Sequence, residues 1–316
     1  MVVEKVKNVL KKQHYGLVGE HSAIQVCRWT KKSLLDEGCC YKEQFYGIKS
    51  HLCCQMSPSA FVCQNKCLHC WRPIEICENI KIKEIDEPKK IIEDCIAQQK
   101  KLLIGFKGNK KINLKKFKEA QNPNQFAISL IGEPTLYPKI EELILELRKQ
   151  GKTSFLVTNG LNPDKLLEMQ EKNALPTQLY LSLNSPNKEE YEKWHNSSLK
   201  NSWEVFNKTL RLFPKLKTRK VIRMTLVKDL NMDEKFLEDY AKLILIANPN
   251  FIEVKGYMSV GFARQRLGYE KMPFHKDINE FSKKLLKFLP EFKFLDEKVE
   301  SRVVLLGKDK KDMKII

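Results

Sequence analysis

From about Leu52 to Leu306 the chain alternates short runs rich in β-branched and aromatic residues with amphipathic stretches at helical spacing, which leaves few folds open. Strand-then-helix repetition is the pattern of parallel βα units, because parallel neighbours need a crossover long enough to hold a helix. The strand runs are FAISLIG (126–132), SFLVTNG (154–160), QLYLSLN (178–184), VIRMTLVK (221–228) and FIEVKGYM (251–258), with a closing SRVVLL (301–306). Apolar spacing predicts helices over 139–150, 163–172, 188–213 (more than one), 233–247 and 277–289. A strand beginning near Leu52 and a helix bearing Ile91, Ile92, Cys95, Ile96 and Leu102 make another unit, with Asp86 as N-cap and Pro88 in the first turn. Six units with a final strand predict an α/β protein, an open partial (β/α)6 barrel of TIM type in which the loops at the strands' carboxyl ends build the site. Residues 1–50 lack a clean period and read as an N-terminal extension, with Lys5, Lys7, Lys11 and Lys12 on one exposed helix face. The barrel then spans 51–306, and 307–316 is a basic C-terminal tail.

All ten cysteines lie in the first third of the 316 residues: Cys27, Cys39, Cys40, Cys53, Cys54, Cys63, Cys67, Cys70, Cys77 and Cys95. The chain has no uninterrupted apolar run of about eighteen residues, and its opening MVVEKVKNVLKKQHYG holds no apolar stretch long enough for a signal peptide. A soluble, cytoplasmic protein with no membrane partner is expected. There, grouped thiols point to metal or redox chemistry and not to a disulfide framework. Cys63, Cys67 and Cys70 read C-x3-C-x2-C, followed by Trp71. Three soft thiolates on one loop can hold three irons of a four-iron cluster and leave the last iron open to a substrate or cofactor. Completed by Cys77 or His69, the same loop would be a structural zinc site. Cys27, Cys40 and Cys53 stand thirteen residues apart, as a second cluster could require, although Cys39 and Cys54 adjoin two of them and could be ligands instead. Cys77 and Cys95 read as small buried apolar residues.

Fifty-seven Lys and Arg against 39 Asp and Glu give a formal charge of +18, which favours a polyanionic partner, nucleic acid first. Residues 107–118, KGNKKINLKKFK, hold six lysines and Phe117. A solvated charge run is the ordinary reading, and a surface for RNA phosphates at the barrel mouth, shared with Arg264 and Arg266, is the sharper one. The predicted carboxyl ends carry Gly132-Glu133-Pro134-Thr135, Thr158-Asn159-Gly160 and Asn184-Ser185-Pro186. Each could be only a turn. Their joint placement makes them candidate cofactor contacts. Glu253 and Lys255 are read as facing opposite sides of their strand, and Lys255-Gly256 ends that unit.

The C-x3-C-x2-C loop on a βα barrel, followed by GEPT and TNG, resembles the radical S-adenosyl-L-methionine (SAM) superfamily. Within it, Cys40-Tyr41-Lys42, FYGIKSHLCCQMSP (45–58), CWR (70–72), FIEVKGYMSVGFAR (251–264) and SRVVLL resemble the 4-demethylwyosine synthase family of archaeal tRNA-modifying enzymes, over about Cys27 to Leu306. The resemblance implies a radical SAM barrel and a carbon–carbon lyase or synthase. Such an enzyme condenses two carbons of pyruvate, the co-substrate, with N1-methylguanosine beside the anticodon of tRNA-Phe. It implies two 4Fe-4S clusters: one binding SAM on Cys63, Cys67 and Cys70, and one on Cys27, Cys40 and Cys53, with Cys40 chosen over Cys39 and Cys53 over Cys54. Lys42 falls where the family has a lysine that forms a Schiff base with pyruvate. SAM contacts are implied at Gly132, Glu133, Thr158, Asn159, Ser182 and Asn184. The chain departs from the pattern at Ile131, where many members have the first of two glycines, and at Asn184, where relatives often carry Asp. A chain without a flavodoxin-like domain before the core is expected, and with it a separate flavodoxin- or ferredoxin-like electron donor and a monomer. The other readings are a radical SAM enzyme acting on another RNA base or a small molecule, and a zinc-stabilised RNA-binding protein that is no enzyme.

Overall fold

The strand runs that alternate with amphipathic helices become parallel neighbours in one sheet. The computed structural model describes residues 2–77 and 82–315. Among them lie β1 (Gly16–Val18), β2 (Ser22–Gln25), β3 (Cys53–Ser57), β4 (Gln125–Ile128), β5 (Thr153–Thr158), β6 (Gln178–Ser182), β7 (Arg219–Leu226), β8 (Phe251–Gly256), β9 (Lys293–Lys298) and β10 (Val303–Gly307). They pair in the order β1-β2-β3-β4-β5-β6-β7-β8-β10-β9. The run from β3 to β8 is parallel throughout. Helices Pro88–Leu103, Ile140–Lys149, Pro163–Glu171, Lys188–His195 with Ser202–Leu212, Leu237–Ala247 and His275–Leu286 follow the six parallel strands in turn. This is the expected α/β architecture, consistent with a partial barrel. Among the described residues no helix is long and apolar enough to cross a membrane.

Period-two alternation divides the strand side chains between two cores. Cys54, Met56, Phe126, Ile128, Leu156 and Leu179 point outward and pack with helix residues such as Leu143, Ile144 and Leu285. Phe155, Tyr180, Val221, Phe251, Val303 and Leu305 point inward, where they meet Tyr41, Phe45 and Tyr46 of the short helix Tyr41–Tyr46. That helix fills part of the lumen.

The ends of the sheet differ from the sequence reading. Residues 1–50 supply β1 and β2, and β2 pairs antiparallel with β3. With three and four residues, these strands are too short to display a period. Helix Val2–Lys12 does expose Lys5, Lys11 and Lys12 over buried Val6 and Leu10, while Lys7 pairs with Glu20 at 3.2 Å. At the far end β10 runs antiparallel to β8 and pairs with β9, a strand of half-exposed charged residues. Asp86 is not the N-cap: Glu87 precedes Pro88 there. The Asp86 carboxylate instead accepts from the Glu20 amide at 2.8 Å, a long-range tie that displaces the local cap.

Gly132 sets how closely the turn after β4 approaches the segment leaving β3. Its φ is +73°, and a Cβ there would lie 1.9 Å from the Ser59 carbonyl oxygen. The Ser59 hydroxyl donates to the Glu133 carbonyl at 2.6 Å, and the Glu133 amide donates to the Val62 carbonyl at 2.9 Å. Gly132→Ala combines left-handed strain with a backbone clash, so it should cost roughly 2–4 kcal/mol in a denaturant titration. Wild-type stability in that variant would refute the close approach.

Candidate active site

The segment 58–72 leaves the carboxyl end of β3 and carries Cys63, Cys67 and Cys70. It has little regular structure, so its shape comes from neighbours. The amides of Lys66 and Leu68 donate to the carbonyls of His195 and Trp194 at 2.8 and 3.1 Å, and the Ser198 amide donates to the Gln64 carbonyl at 2.8 Å. On the other side Arg266 donates through Nε to the Leu68 carbonyl at 3.0 Å, to the carbonyls of Cys70 and Arg72, and to the Glu75 carboxylate. Arg266 was expected to grip phosphate; its side chain is only 12% exposed and is committed to this loop. Sequence could not reveal that, because the partners lie almost 200 residues away, with a separation of 198 for Leu68.

Burial pushes Cys63 up to about 11, with Arg72 opposing the shift. Burial, with Cys63 and Cys70 adding to it, raises Cys67 well above the thiol range. Thiols that disfavour one another's ionisation become ligands when metal cations compensate them. Both polar atoms of the Asn65 side chain, His69 Nδ1, Arg72 Nε and the Tyr191 hydroxyl are buried without a hydrogen-bond partner. Such atoms cost about 1–3 kcal/mol each when left unpaired, so their gathering around one thiol loop fits a group bound there. Among the described residues, no three Cys, His, Asp or Glu side chains are placed around a single metal ion.

Two carboxyl-end turns reach this loop. Glu133, raised by burial, receives the Thr135 amide at 3.1 Å, the Thr135 and Thr158 hydroxyls at 2.7 Å each, and the Asn159 amide at 2.7 Å. It thus ties the GEPT turn to the TNG turn. Asn159 Nδ2 donates to Gln64 Oε1 at 3.1 Å and approaches Cys63 Sγ at 3.7 Å. Gly132, Glu133, Thr158 and Asn159 therefore converge on the cysteine loop. Asn184 is engaged elsewhere: its Oδ1 accepts from the Thr225 amide at 2.9 Å and its carbonyl from Asn231 and Tyr240. Ser182 is half-buried in register with Arg223.

Cys27, Cys40 and Cys53 gather at the opposite end of β3. Cys54 is buried outward against Cys95, so the pleat turns Cys53 inward. Cys27 and Cys40 occupy the N-cap positions of helices Arg28–Leu34 and Tyr41–Tyr46, and Cys40 Sγ accepts from the Lys42 amide at 3.5 Å. Burial, then the charge of Cys27, pushes Cys40 up to about 12, and burial with Cys27 raises Cys53. Cys39 looks elsewhere: apart from burial, it feels Glu43, Lys298 and Glu300. Cys77 and Cys95 pack in apolar cores, as expected.

Between the two cysteine groups lies the lumen. Lys42 is 7% exposed, and its Nζ sits 5.1 Å from the Phe155 ring centroid and 4.8 Å from that of Tyr180. Burial lowers its pKa, and Glu253 partly restores it. Glu253 is fully buried; its oxygens accept from the Tyr41 hydroxyl at 2.9 Å and the Tyr46 hydroxyl at 2.7 Å. Glu253 and Lys255 do not face opposite sides of β8. Two residues apart in a strand of period two, both point inward. Lys255 Nζ donates to the Ser301 carbonyl at 2.8 Å, and burial with the charge of Arg223 brings its pKa down to about 8.

The 107–118 lysines are not at the barrel mouth. Their segment joins the end of helix Pro88–Leu103 to the start of β4, and helices return to the strands' amino ends. The Asn113 amide donates to the Leu34 carbonyl, Lys116 pairs with Asp36 at 2.7 Å, and Phe117 packs against buried Val26 and Leu103. Arg264 is exposed in the segment after β8.

Residues 58–241 match the radical SAM superfamily and residues 246–308 match wyosine base formation. Over 310 residues, 98% of this chain and 90% of the relative, the chain is 47% identical to the S-adenosyl-L-methionine-dependent tRNA 4-demethylwyosine synthase of Pyrococcus abyssi. The chain belongs to the radical SAM 4-demethylwyosine synthase family. The synthase of Methanocaldococcus jannaschii is 39% identical over 97% of this chain and 96% of its own. A solved structure of TYW1 with a lysine-pyruvate adduct bound superposes with a TM-score of 0.87 at 37% identity, covering 99% of this chain and 97% of that one. An archaeal TYW1 crystal structure gives 0.80 at 35% identity, covering both chains fully (100% each). Radical SAM enzymes use SAM and an iron–sulfur cluster, and family membership displaces the reading as a zinc-binding module without activity. Arg266 joins the wyosine segment to the radical SAM segment. Arg266→Gln should therefore lower stability by about 1–3 kcal/mol and reduce iron retained after gel filtration. Retention at the wild-type level would show that the loop does not need this tie.

Proposed function

We propose that the chain makes 4-demethylwyosine in tRNA-Phe from N1-methylguanosine and pyruvate, with Lys42 capturing the pyruvate. The observation that carries this reading is the Lys42 amine, buried in the lumen between two cysteine groups and next to Cys40. The relative described with a lysine-pyruvate adduct supports it. Cys63, Cys67 and Cys70 are the proposed ligands of the cluster that binds SAM, and Cys27, Cys40 and Cys53 those of a second cluster, supplied by the first fifty-odd residues. When bound, cluster and SAM supply one-electron chemistry able to remove a hydrogen atom from the N1-methyl group.

The chain's own residues do the rest. A lysine is a nucleophile only when neutral, and burial in an aromatic-walled lumen drives Lys42 in that direction. Its amine adds to the pyruvate carbonyl with loss of water. With one hydrogen atom removed, the N1-methyl carbon would join C2 of the Lys42-bound pyruvate and the C1–C2 bond would break, the carboxyl carbon leaving as formate once it takes an electron and a proton from the external carrier and solvent; the guanine exocyclic amine would then add to C2, displace the Lys42 amine and, with loss of a proton from the former methyl carbon, close the third ring, the work of a carbon–carbon lyase or synthase. Gly132, Glu133, Thr158, Asn159, Ser182 and Asn184 form the proposed SAM-facing wall, with the Glu133 network fixing the first four. A guanosine beside the anticodon already lies in a single-stranded loop, so turning it into the site costs only a few kcal/mol. Electrons come from a separate flavodoxin- or ferredoxin-like carrier, and the enzyme works as a cytoplasmic monomer.

The test is mass analysis of tRNA-Phe incubated anaerobically with protein, SAM, pyruvate and reductant. Lys42→Ala should abolish the tricyclic product while still cleaving SAM; an unchanged yield would rule out its role. Loaded wild-type protein should carry roughly eight irons. Its tRNA affinity should fall steeply as salt rises, and an affinity indifferent to salt would exclude a phosphate grip.

A further inference from the structure

The inward positions of the strands carry more positive charge than their protein partners use. Arg219 donates to Gln178 and to the carbonyls of Asp312 and Met313. Lys255 donates to the Ser301 carbonyl. Both Glu253 oxygens are taken by the tyrosine hydroxyls of Tyr41 and Tyr46. Among the described residues, nothing accepts a hydrogen bond from the Arg223 guanidinium or from Lys42 Nζ, which meets only aromatic faces.

Arg223 stands in the same layer as Ser182 on β6 and Glu253 on β8, with which it pairs in register. Lys42 Nζ lies on the ring of Tyr180, which pairs with Val221, so Arg223 stands one inward layer nearer the strands' carboxyl ends, between Lys42 and the side of the barrel that carries the Cys63 loop. We infer that Arg223 seats the substrate's carboxylate, so that a 2-oxo acid spans the lumen with its carbonyl at Lys42 and its carboxylate on the guanidinium. The guanidinium without an acceptor and the Lys42 amine below it match the carboxylate and the adjacent carbonyl of such an acid. A carboxylate leaving water needs a charged, hydrogen-bonding partner, and the planar guanidinium provides two parallel N–H donors. The seat selects 2-oxo acids over simple aldehydes and ketones, which also condense with amines.

This inference rests on the proposed function, and two measurements on cluster-loaded protein separate them. Oxamate is a pyruvate isostere whose amide carbonyl does not condense with lysine, so calorimetry with oxamate reads the carboxylate seat alone. Arg223→Gln should weaken oxamate binding by about tenfold or more, with Arg223→Lys in between. Equal affinity in wild type and Arg223→Gln, or no binding by wild type, overturns the seat. Cyanoborohydride then traps the imine: the Lys42 amine and the carbonyl lose water to form C=N, and hydride reduces it to a stable secondary amine detected by mass. Arg223→Gln should need about tenfold more pyruvate for half-trapping and no more acetone than wild type. Equal losses with acetone would mean that Arg223 acts on the amine, and would overturn the seat. Absence of a wild-type Lys42 adduct with oxamate binding intact would refute the Lys42 role and leave the seat standing.

Discussion

Two tyrosine hydroxyls on one buried carboxylate hold the helix that carries Lys42 inside the barrel. A carboxyl group buried at that depth needs hydrogen-bond partners, and Tyr41 and Tyr46 supply one for each oxygen of Glu253. The same helix begins at Cys40 and presents Lys42 to Phe155 and Tyr180. One carboxylate on β8 therefore fixes both a proposed cluster ligand and the proposed nucleophile. Truncating either tyrosine leaves a buried oxygen unpaired and loosens both.

The cysteine loop depends on a different device. It has almost no secondary structure, yet its carbonyls and amides are matched by Trp194, His195 and Ser198 on one side and by Arg266 on the other. Glu133 locks the two neighbouring turns with four donated hydrogen bonds. Loop, turns and the segment after β8 thus form one hydrogen-bonded unit resting on the apolar cluster of Trp194, Tyr257 and Leu267. The lumen lies below it, with the second cysteine group at the far end of β3. That lumen separates the two cysteine groups, and Arg223 enters it without a hydrogen-bond acceptor among the described residues.

Much of this was legible in the residues. The six βα units follow from hydrophobic period, the cysteine loop from its spacing, and the GEPT and TNG turns from their place after strands. What failed did so for identifiable reasons. β1 and β2 are too short for a period, and Asp86 leaves the cap position to Glu87 and accepts instead from a residue 66 positions away. The lysine run was assigned to the wrong end of the barrel because composition carries no direction. Glu253 and Lys255 were separated although the strand's own period places them on one face.

The sequence by itself determined the strands and helices of the six βα units and which thiols share a loop, because those depend on spacings of a few residues. Only the tertiary structure decided that Cys53 looks inward while Cys54 meets Cys95, that Arg266 serves the cysteine loop and not RNA, and that Glu253 is answered by tyrosines 212 and 207 positions earlier. Those partners meet through the closing of a sheet across the whole chain. Local periodicity specifies a face, but it does not specify what the face will touch.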